Sequence, residues 1–284
     1  MLRLVRLAGG AATTYCCRVD DAATTAPDTG PRRDAWAWRL LATGLSFSVF
    51  GVVGFLLGLF AVPVLIAIPA GSGSRRRRIR RLVRGAFRAF IGFMRSMRVL
   101  TYELQGFERL GRPGQLVVAN HPSLIDVVFL IAFIPHAGCV VKRALWRNPA
   151  MALVVRAAGY VPNWPTDAMI ERAADALAGG QCLIMFPEGT RTQPGLPRQF
   201  HRGAATVAIR AASTVTPVFV SVQPTTLTKH APWYRIPRRR PHFSLAVGVD
   251  IDPAPLRDSM PAPRAARTLN EGLLAVYAGR LGGR

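Results

Sequence analysis

His121 stands five positions before Asp126 in the run Asn120-His121-Pro122-Ser123-Leu124-Ile125-Asp126. An isolated imidazole titrates near pH 6.5, so it can take a proton from a hydroxyl at working pH. A carboxylate one turn into a following helix can fold back on the other ring nitrogen, fix the tautomer and stabilise the imidazolium that forms. A second run, Phe186-Pro187-Glu188-Gly189-Thr190-Arg191, combines a glycine hinge with a hydroxyl and a guanidinium. Free N–H groups in such a turn, with Thr190 and Arg191, suit a phosphate or carboxylate. Glu188 would repel a phosphate, so it is expected to bind a hydroxyl or to hold Arg191 or Thr190. Together the two runs describe a proton acceptor beside an anion cradle, equipment for moving an acyl group onto an alcohol of an anionic acceptor. Each run alone also fits a plainer reading: a loop histidine capping a helix, and a charged turn with an internal salt bridge. Ser123 reads as a helix N-cap rather than a nucleophile. No second His, Cys or carboxylate lies at ligand spacing, so no metal is expected.

The elements that must position these residues begin near residue 101, where short apolar runs alternate with helical stretches. Residues 115–119, 138–142, 159–162, 181–186, 215–222 and 243–250 read as strands. Residues 124–133, 145–158, 168–178 and 203–212 read as helices between them, with a closing helix over 268–280. Alternation of this kind predicts an α/β fold, a largely parallel or mixed sheet covered by helices. His121 and Glu188 then fall just past strand ends, where α/β folds place active residues. Cys139 and Cys182 sit in strand-like runs and read as buried reduced thiols. Cys16 and Cys17 are a candidate lipidation pair.

The 284 residues carry a net charge of +22, which calls for an acidic partner. The placement of the charge decides which. No Asp or Glu lies between Ala35 and Tyr102, and that stretch holds eleven arginines, half of the net charge. It adjoins the uncharged segment Leu40 to Pro69, whose 30 residues would reach about 45 Å as a helix, against a hydrocarbon core of about 30 Å. Either one tilted helix spans, or two short helices dip in and return, broken near Gly51, Gly54 or Pro63. Arg75 to Arg78, Arg80 and Arg81 follow at once and place this end on the cytoplasmic side. Ile79, Leu82, Val83, Ala86, Phe87, Phe90, Met94 and Met97 recur at helical spacing with arginines opposite. That helix fits either the headgroup layer of anionic lipid or the domain below it. The charge therefore points to anionic membrane lipids, not nucleic acid. A second basic cluster, Arg235 and Arg238 to Arg240 with Trp233 and Tyr234, suits lipid, an acidic acyl carrier or plain solvent. The organisation expected is a mobile tail over 1–34, a membrane-embedded segment with a basic helix over 35–100, and a catalytic domain over 101–284.

The two runs, in this order, resemble the glycerolipid acyltransferases of the lysophosphatidic acid acyltransferase family, whose motifs are Asn-His-x4-Asp and Phe-Pro-Glu-Gly-Thr-Arg. Lys142-Arg143-Ala144-Leu145 is similar to the family's Lys-x-x-Leu, Phe200 to Gly203 to its Phe-x-x-Gly turn, and Thr216-Pro217-Val218 to its late strand. The resemblance covers about Leu104 to Pro224. It implies a glycerol-3-phosphate acyltransferase-like domain on the cytoplasmic face of the inner membrane, with no cofactor. His121 would deprotonate the acceptor hydroxyl and Asp126 would orient it. Glu188, Gly189, Thr190, Arg191 and Lys142 would hold the phosphate of a lysophospholipid, and acyl-CoA or acyl-carrier protein would be the donor. One departure stands out. The family's middle motif ends in an arginine that contacts the acceptor phosphate, whereas Gly159 to Pro165 contains none. Arg147, Arg156 or Arg202 would have to replace it, or the acceptor is another lyso-lipid such as lyso-ornithine lipid.

Overall fold

The structure, a computed structural model, describes residues 35–69, 71–148, 151–192, 198–229 and 231–281. The expected tail and the Cys16-Cys17 pair lie outside the described residues.

The apolar segment forms one continuous helix. α1 (Trp36–Leu56) passes through a single wide turn, Leu57–Ala61, into α2 (Val62–Ala67), with no break at Gly51, Gly54 or Pro63. Pro63 lacks an N–H and its ring would crowd a regular turn before it, and the wide π-type turn falls there. The whole run, Trp36–Ala67, is 32 residues, long and apolar enough to cross a membrane. It nevertheless lies along the protein. Ala42, Thr43, Ser46, Gly58 and Val62 are buried on one stripe, while Leu41, Val52, Phe60 and Val64 are more than half exposed on the other.

α3 (Ser72–Ser96) is the basic amphipathic helix, and its apolar face is occupied by protein. Ile79, Val83, Ile91 and Met94 are at most 3 % exposed in the core under the next helix of the domain, α4 (Asp126–Phe133). Lifting that face onto lipid would bare the side of α4 it packs on, at roughly 1.5–3 kcal/mol for each large apolar side chain uncovered. Polar ties agree: Arg80 is 7 % exposed and its guanidinium donates to the Ala158 carbonyl (2.7 Å) and to Gln181 (2.8 Å). Of the two roles open to this helix, the apolar stripe serves the domain.

The domain is a seven-stranded mixed sheet. Its strands are β1 (Thr101–Gln105), β2 (Gln115–Ala119), β3 (Gly138–Val141), β4 (Val161–Pro162), β5 (Leu183–Met185), β6 (Thr214–Gln223) and β7 (His242–Val247). The order is β1-β7-β6-β2-β5-β3-β4, and every pair is parallel except β6 with β7. The carboxyl ends of β2, β3, β4, β5 and β6 therefore meet at one edge. Alternate residues serve opposite faces, as a period of two requires: Val117 and Ile184 join the core under α3 and α4, Leu116 and Leu183 the core on the other side. That second face is covered by α7 (Thr166–Ala178), α8 (Gly203–Ala211) and α10 (Ala262–Leu281). Tyr277 of α10 is fully buried and its hydroxyl donates to the carbonyls of Val118 (2.7 Å) and Val218 (3.1 Å) across two strands.

Two expectations change. The stretch 145–158 is two helices, α5 (Arg143–Arg147) and α6 (Ala152–Ala157), and Pro149 between them explains why one cannot run through. β1, α9 (Ala254–Ser259) and the first half of α10 carried too little period to be read. Cys139 and Cys182 are buried free thiols, and burial raises each to about 12.

Candidate active site

β2 ends in a fully buried Asn120 whose side chain donates to the Val220 carbonyl (2.7 Å) and accepts from the Val220 N–H (2.8 Å). This pair imitates one more rung of the β2–β6 ladder and fixes the point from which the chain turns. His121 follows. Its Nδ1 lies 3.0 Å from Asp126 Oδ2, with the histidine side chain 17 % exposed and the carboxylate fully buried. The same oxygen accepts the Ser123 N–H at 2.6 Å. With Asp126 ionised its oxygens only accept, so Nδ1 carries the hydrogen and Nε2 the lone pair. Nε2 makes no hydrogen bond among the described residues. The Phe186 ring lies 4.4 Å from the imidazole and nearly parallel, limiting its rotation.

Burial drives the Asp126 carboxyl above its usual range, opposed first by its bond to His121 and then by the charge of that ring, the Ser123 N–H and Arg191. The pair is thus tightly coupled: an ionised Asp126 in this position is stabilised chiefly by a proton on His121. Ser123 is not the helix cap expected. α4 starts at Asp126 without a side-chain cap, and the Ser123 hydroxyl is buried with no partner among the described residues. So placed, it is unsuited to attack a substrate.

The second run closes β5 beside the first. Gly189 has φ +64°, the left-handed region that favours glycine, and a Cβ there would meet the exposed His201 ring at 3.1 Å and push it aside. Glu188 does not hold Arg191 or Thr190. Its Oε1 accepts the His121 N–H (3.4 Å) and its Oε2 the Thr192 hydroxyl (2.6 Å), while the Thr192 N–H donates to the His121 carbonyl (2.7 Å). Glu188 is thereby a brace between the two runs. Burial raises its carboxyl too, against the Thr192 bond first and the His121 N–H next.

Arg191 is spent differently from the expectation. Its Nη1 donates to the carbonyls of Leu227 (2.8 Å) and Thr228 (2.9 Å), and its Nη2 reaches the Lys229 carbonyl (3.4 Å). Three of its five N–H donors are thus committed to carbonyls, leaving Nε and one N–H of Nη2. Thr190 is half-buried on the same turn, and Lys142 is exposed at the end of β3, at the same sheet edge. The structure therefore brings His121, Asp126, Glu188 and Gly189 together, with Thr190 beside them. It sets Lys142 two strands away and turns Arg191 into a strut. Asn120 and Phe186 lie within the two runs and Thr192 just past the second, but no role attaches to them in the sequence, because nothing in a linear pattern shows which backbone a side chain will meet. Among the described residues no group of three His, Cys, Asp or Glu could hold a metal.

Residues 101–221 match the family model described as Acyltransferase. Over 188 residues the chain is 28 % identical to a 1-acyl-sn-glycerol-3-phosphate acyltransferase of Pseudomonas aeruginosa, covering 64 % of this chain and 70 % of that protein. A lyso-ornithine lipid O-acyltransferase of the same organism is 30 % identical over 126 residues, 43 % of this chain and 48 % of that protein. These similarities support membership of the lysophosphatidic acid acyltransferase family. The fold agrees: the crystal structure of the 1-acyl-sn-glycerophosphate acyltransferase from Thermotoga maritima superposes with a TM-score of 0.63 at 19 % identity, covering 88 % of this chain and all of that one. Other relatives align over a shorter part of their length, such as 43 % of a 1-acyl-sn-glycerol-3-phosphate acyltransferase from Helicobacter pylori. This acyltransferase thus shares with its relatives the domain that carries both runs.

Proposed function

We propose that this acyltransferase moves a fatty acyl group from a thioester to the hydroxyl of a lysophospholipid, with 1-acyl-sn-glycerol-3-phosphate as acceptor and phosphatidic acid as product. The observation that carries the reading is the His121–Asp126 pair, with Nδ1 held at 3.0 Å and Nε2 left basic at the end of β2. The acceptor hydroxyl gives its proton to Nε2 as its oxygen attacks the thioester carbonyl. A C–O bond forms, the C–S bond breaks, and the proton passes on to the departing thiolate. Asp126 holds the ring and stabilises the imidazolium between the two transfers. A thioester is already activated, so holding the two reactants together supplies much of the acceleration, and no cofactor is called for. Thr190 and the N–H groups of the Gly189 turn are the groups proposed to meet the acceptor phosphate, with Lys142 reaching back from the end of β3 on its long side chain.

A second reading has its own observation. Arg191 is engaged with three carbonyls, and Gly159 to Pro165 lacks the arginine that the resemblance leads one to expect. Fewer cations at the cradle suit a lyso-lipid without a phosphate monoester, such as lyso-ornithine lipid. Incubating the purified protein with one labelled acyl-CoA and a panel of lyso-acceptors separates the two. Labelled phosphatidic acid supports the first, and label confined to phosphate-free acceptors overturns it.

The exposed stripe of α1 is proposed to sit in the membrane with the arginines of α3 at the anionic headgroups. Because α1 packs lengthwise on the domain, immersion of one face in the cytoplasmic leaflet fits it better than a free crossing. The donor is acyl-CoA or acyl-carrier protein.

A further inference from the structure

Two strands from His121, a cleft of about 280 Å³ is walled by Arg143, Trp146, Arg147, Arg156, Trp164 and Arg172, with prolines and no carboxylate. Its parts are fastened to each other. The Arg143 guanidinium lies 4.8 Å from the Trp164 ring and the Arg156 guanidinium 5.6 Å from the Trp146 ring. Arg156 also donates to the Trp146 carbonyl (3.0 Å), and the Arg143 N–H donates to Asn163 Oδ1 (3.0 Å). Arg147 and Arg172 make no ion pair among the described residues. Four guanidinium groups gathered without a counter-charge repel one another, an arrangement that a multiply charged anion would relieve.

The distance from the reacting group says which anion. Val117 pairs with Ile184, Ile184 with Cys139, and Val141 with Pro162. These registers end β2, β3 and β4 at one level, at Ala119, Val141 and Pro162. At about 4.8 Å per strand, the end of β3, which leads into Arg143, lies about 10 Å and the end of β4, which leads into Trp164, about 14 Å from the end of β2, which leads into His121. The phosphorus of a lysophosphatidate lies about four bonds, or roughly 5 Å, from the hydroxyl that His121 would deprotonate. The phosphorus at the end of a pantetheine arm lies about thirteen bonds, or roughly 15 Å, from the thioester sulfur. The spacing fits the second.

We infer that this arginine–tryptophan cleft binds the phosphates of the acyl donor, at the end of the phosphopantetheine arm whose thioester lies at His121. The inference rests on the acyl-transfer reading for the identity of the ligand, but its test requires no turnover. CoA, 4′-phosphopantetheine and pantetheine are titrated calorimetrically into the full chain in detergent, as wild type and as Arg147→Ser with Arg172→Ser. CoA is expected to bind the double variant at least tenfold more weakly, with pantetheine the same in both proteins. A matching loss for 4′-phosphopantetheine places the phosphate of the arm in the cleft, and a loss confined to CoA places its nucleotide phosphates there. The pair Arg147→Lys with Arg172→Lys, which keeps the charge, should recover most of the CoA affinity, and equal melting temperatures exclude a folding defect. Equal CoA affinity in wild type and the Ser variant overturns the inference. So does an unchanged CoA affinity accompanied by weaker binding of lysophosphatidate or of phosphatidylglycerol vesicles, which would assign the cleft to acceptor or membrane. A wild type that binds CoA through these arginines but acylates no lyso-lipid would refute the acyl-transfer reading alone.

Discussion

At His121 the proposed chemistry depends on one hydrogen bond to a fully buried carboxylate. Replacing Asp126 by Asn keeps the shape but lets the amide support the wrong tautomer, and a loss of about 10² to 10⁴ in kcat is expected with little change in KM. Glu188 gives a prediction of another kind. Burial raises the carboxyls of both Asp126 and Glu188, so the folded chain binds their protons more tightly than the unfolded chain does. Folding therefore takes up protons between the ordinary carboxylate range and the raised values, and stability falls as pH rises through that window. Glu188→Gln removes one such group and should flatten the decline measured by thermal melting at a series of pH values. An unchanged slope would place the titration elsewhere. The pairing of His121 with Asp126 was legible in the sequence because five positions across a turn into a helix leave few alternatives. The partners of Glu188 and Arg191 were not, since they belong to backbone atoms brought in by other strands.

Among the elements, the turn after β5 and the segment after β6 are joined by Arg191 through its bonds to residues 227–229. Hydrogen bonds from a charged donor are worth about 1.5–3 kcal/mol each when well made. Arg191→Ala should lower the melting temperature by several degrees and loosen that segment in hydrogen exchange. If instead it raised the acceptor KM tenfold at unchanged stability, Arg191 would be a phosphate ligand after all. The alternation of β2 to β5 with helices was readable because buried parallel strands are continuous apolar runs. β1 escaped because Thr101, Tyr102, Glu103, Leu104 and Gln105 form a half-exposed edge strand with mixed polarity. The two-helix character of 143–157 turns on a proline that a purely periodic reading passes over.

For the whole molecule, the front end is proposed to set where the chemistry happens. Hydropathy identified the apolar segment but not its posture, because only tertiary contacts show that one stripe of α1 packs on protein. The outward stripe is the testable part. Replacing Leu41, Leu45, Val52 and Phe60 by Gln should reduce co-sedimentation with phosphatidylglycerol vesicles at least a hundredfold, at about 1.5–3 kcal/mol per side chain withdrawn from lipid. Since all four are about half exposed or more, the melting temperature in detergent should barely move. Residual binding that disappears in high salt would then report the arginines of α3.

The most direct test of the central claim is transfer from a labelled acyl thioester to 1-acyl-sn-glycerol-3-phosphate by wild type and His121→Ala under single-turnover conditions. The account predicts phosphatidic acid from wild type, no labelled protein at any time, and transfer reduced to the uncatalysed rate in the variant. Transfer by His121→Ala at the wild-type rate, or label held covalently on the chain before acceptor is added, would contradict it.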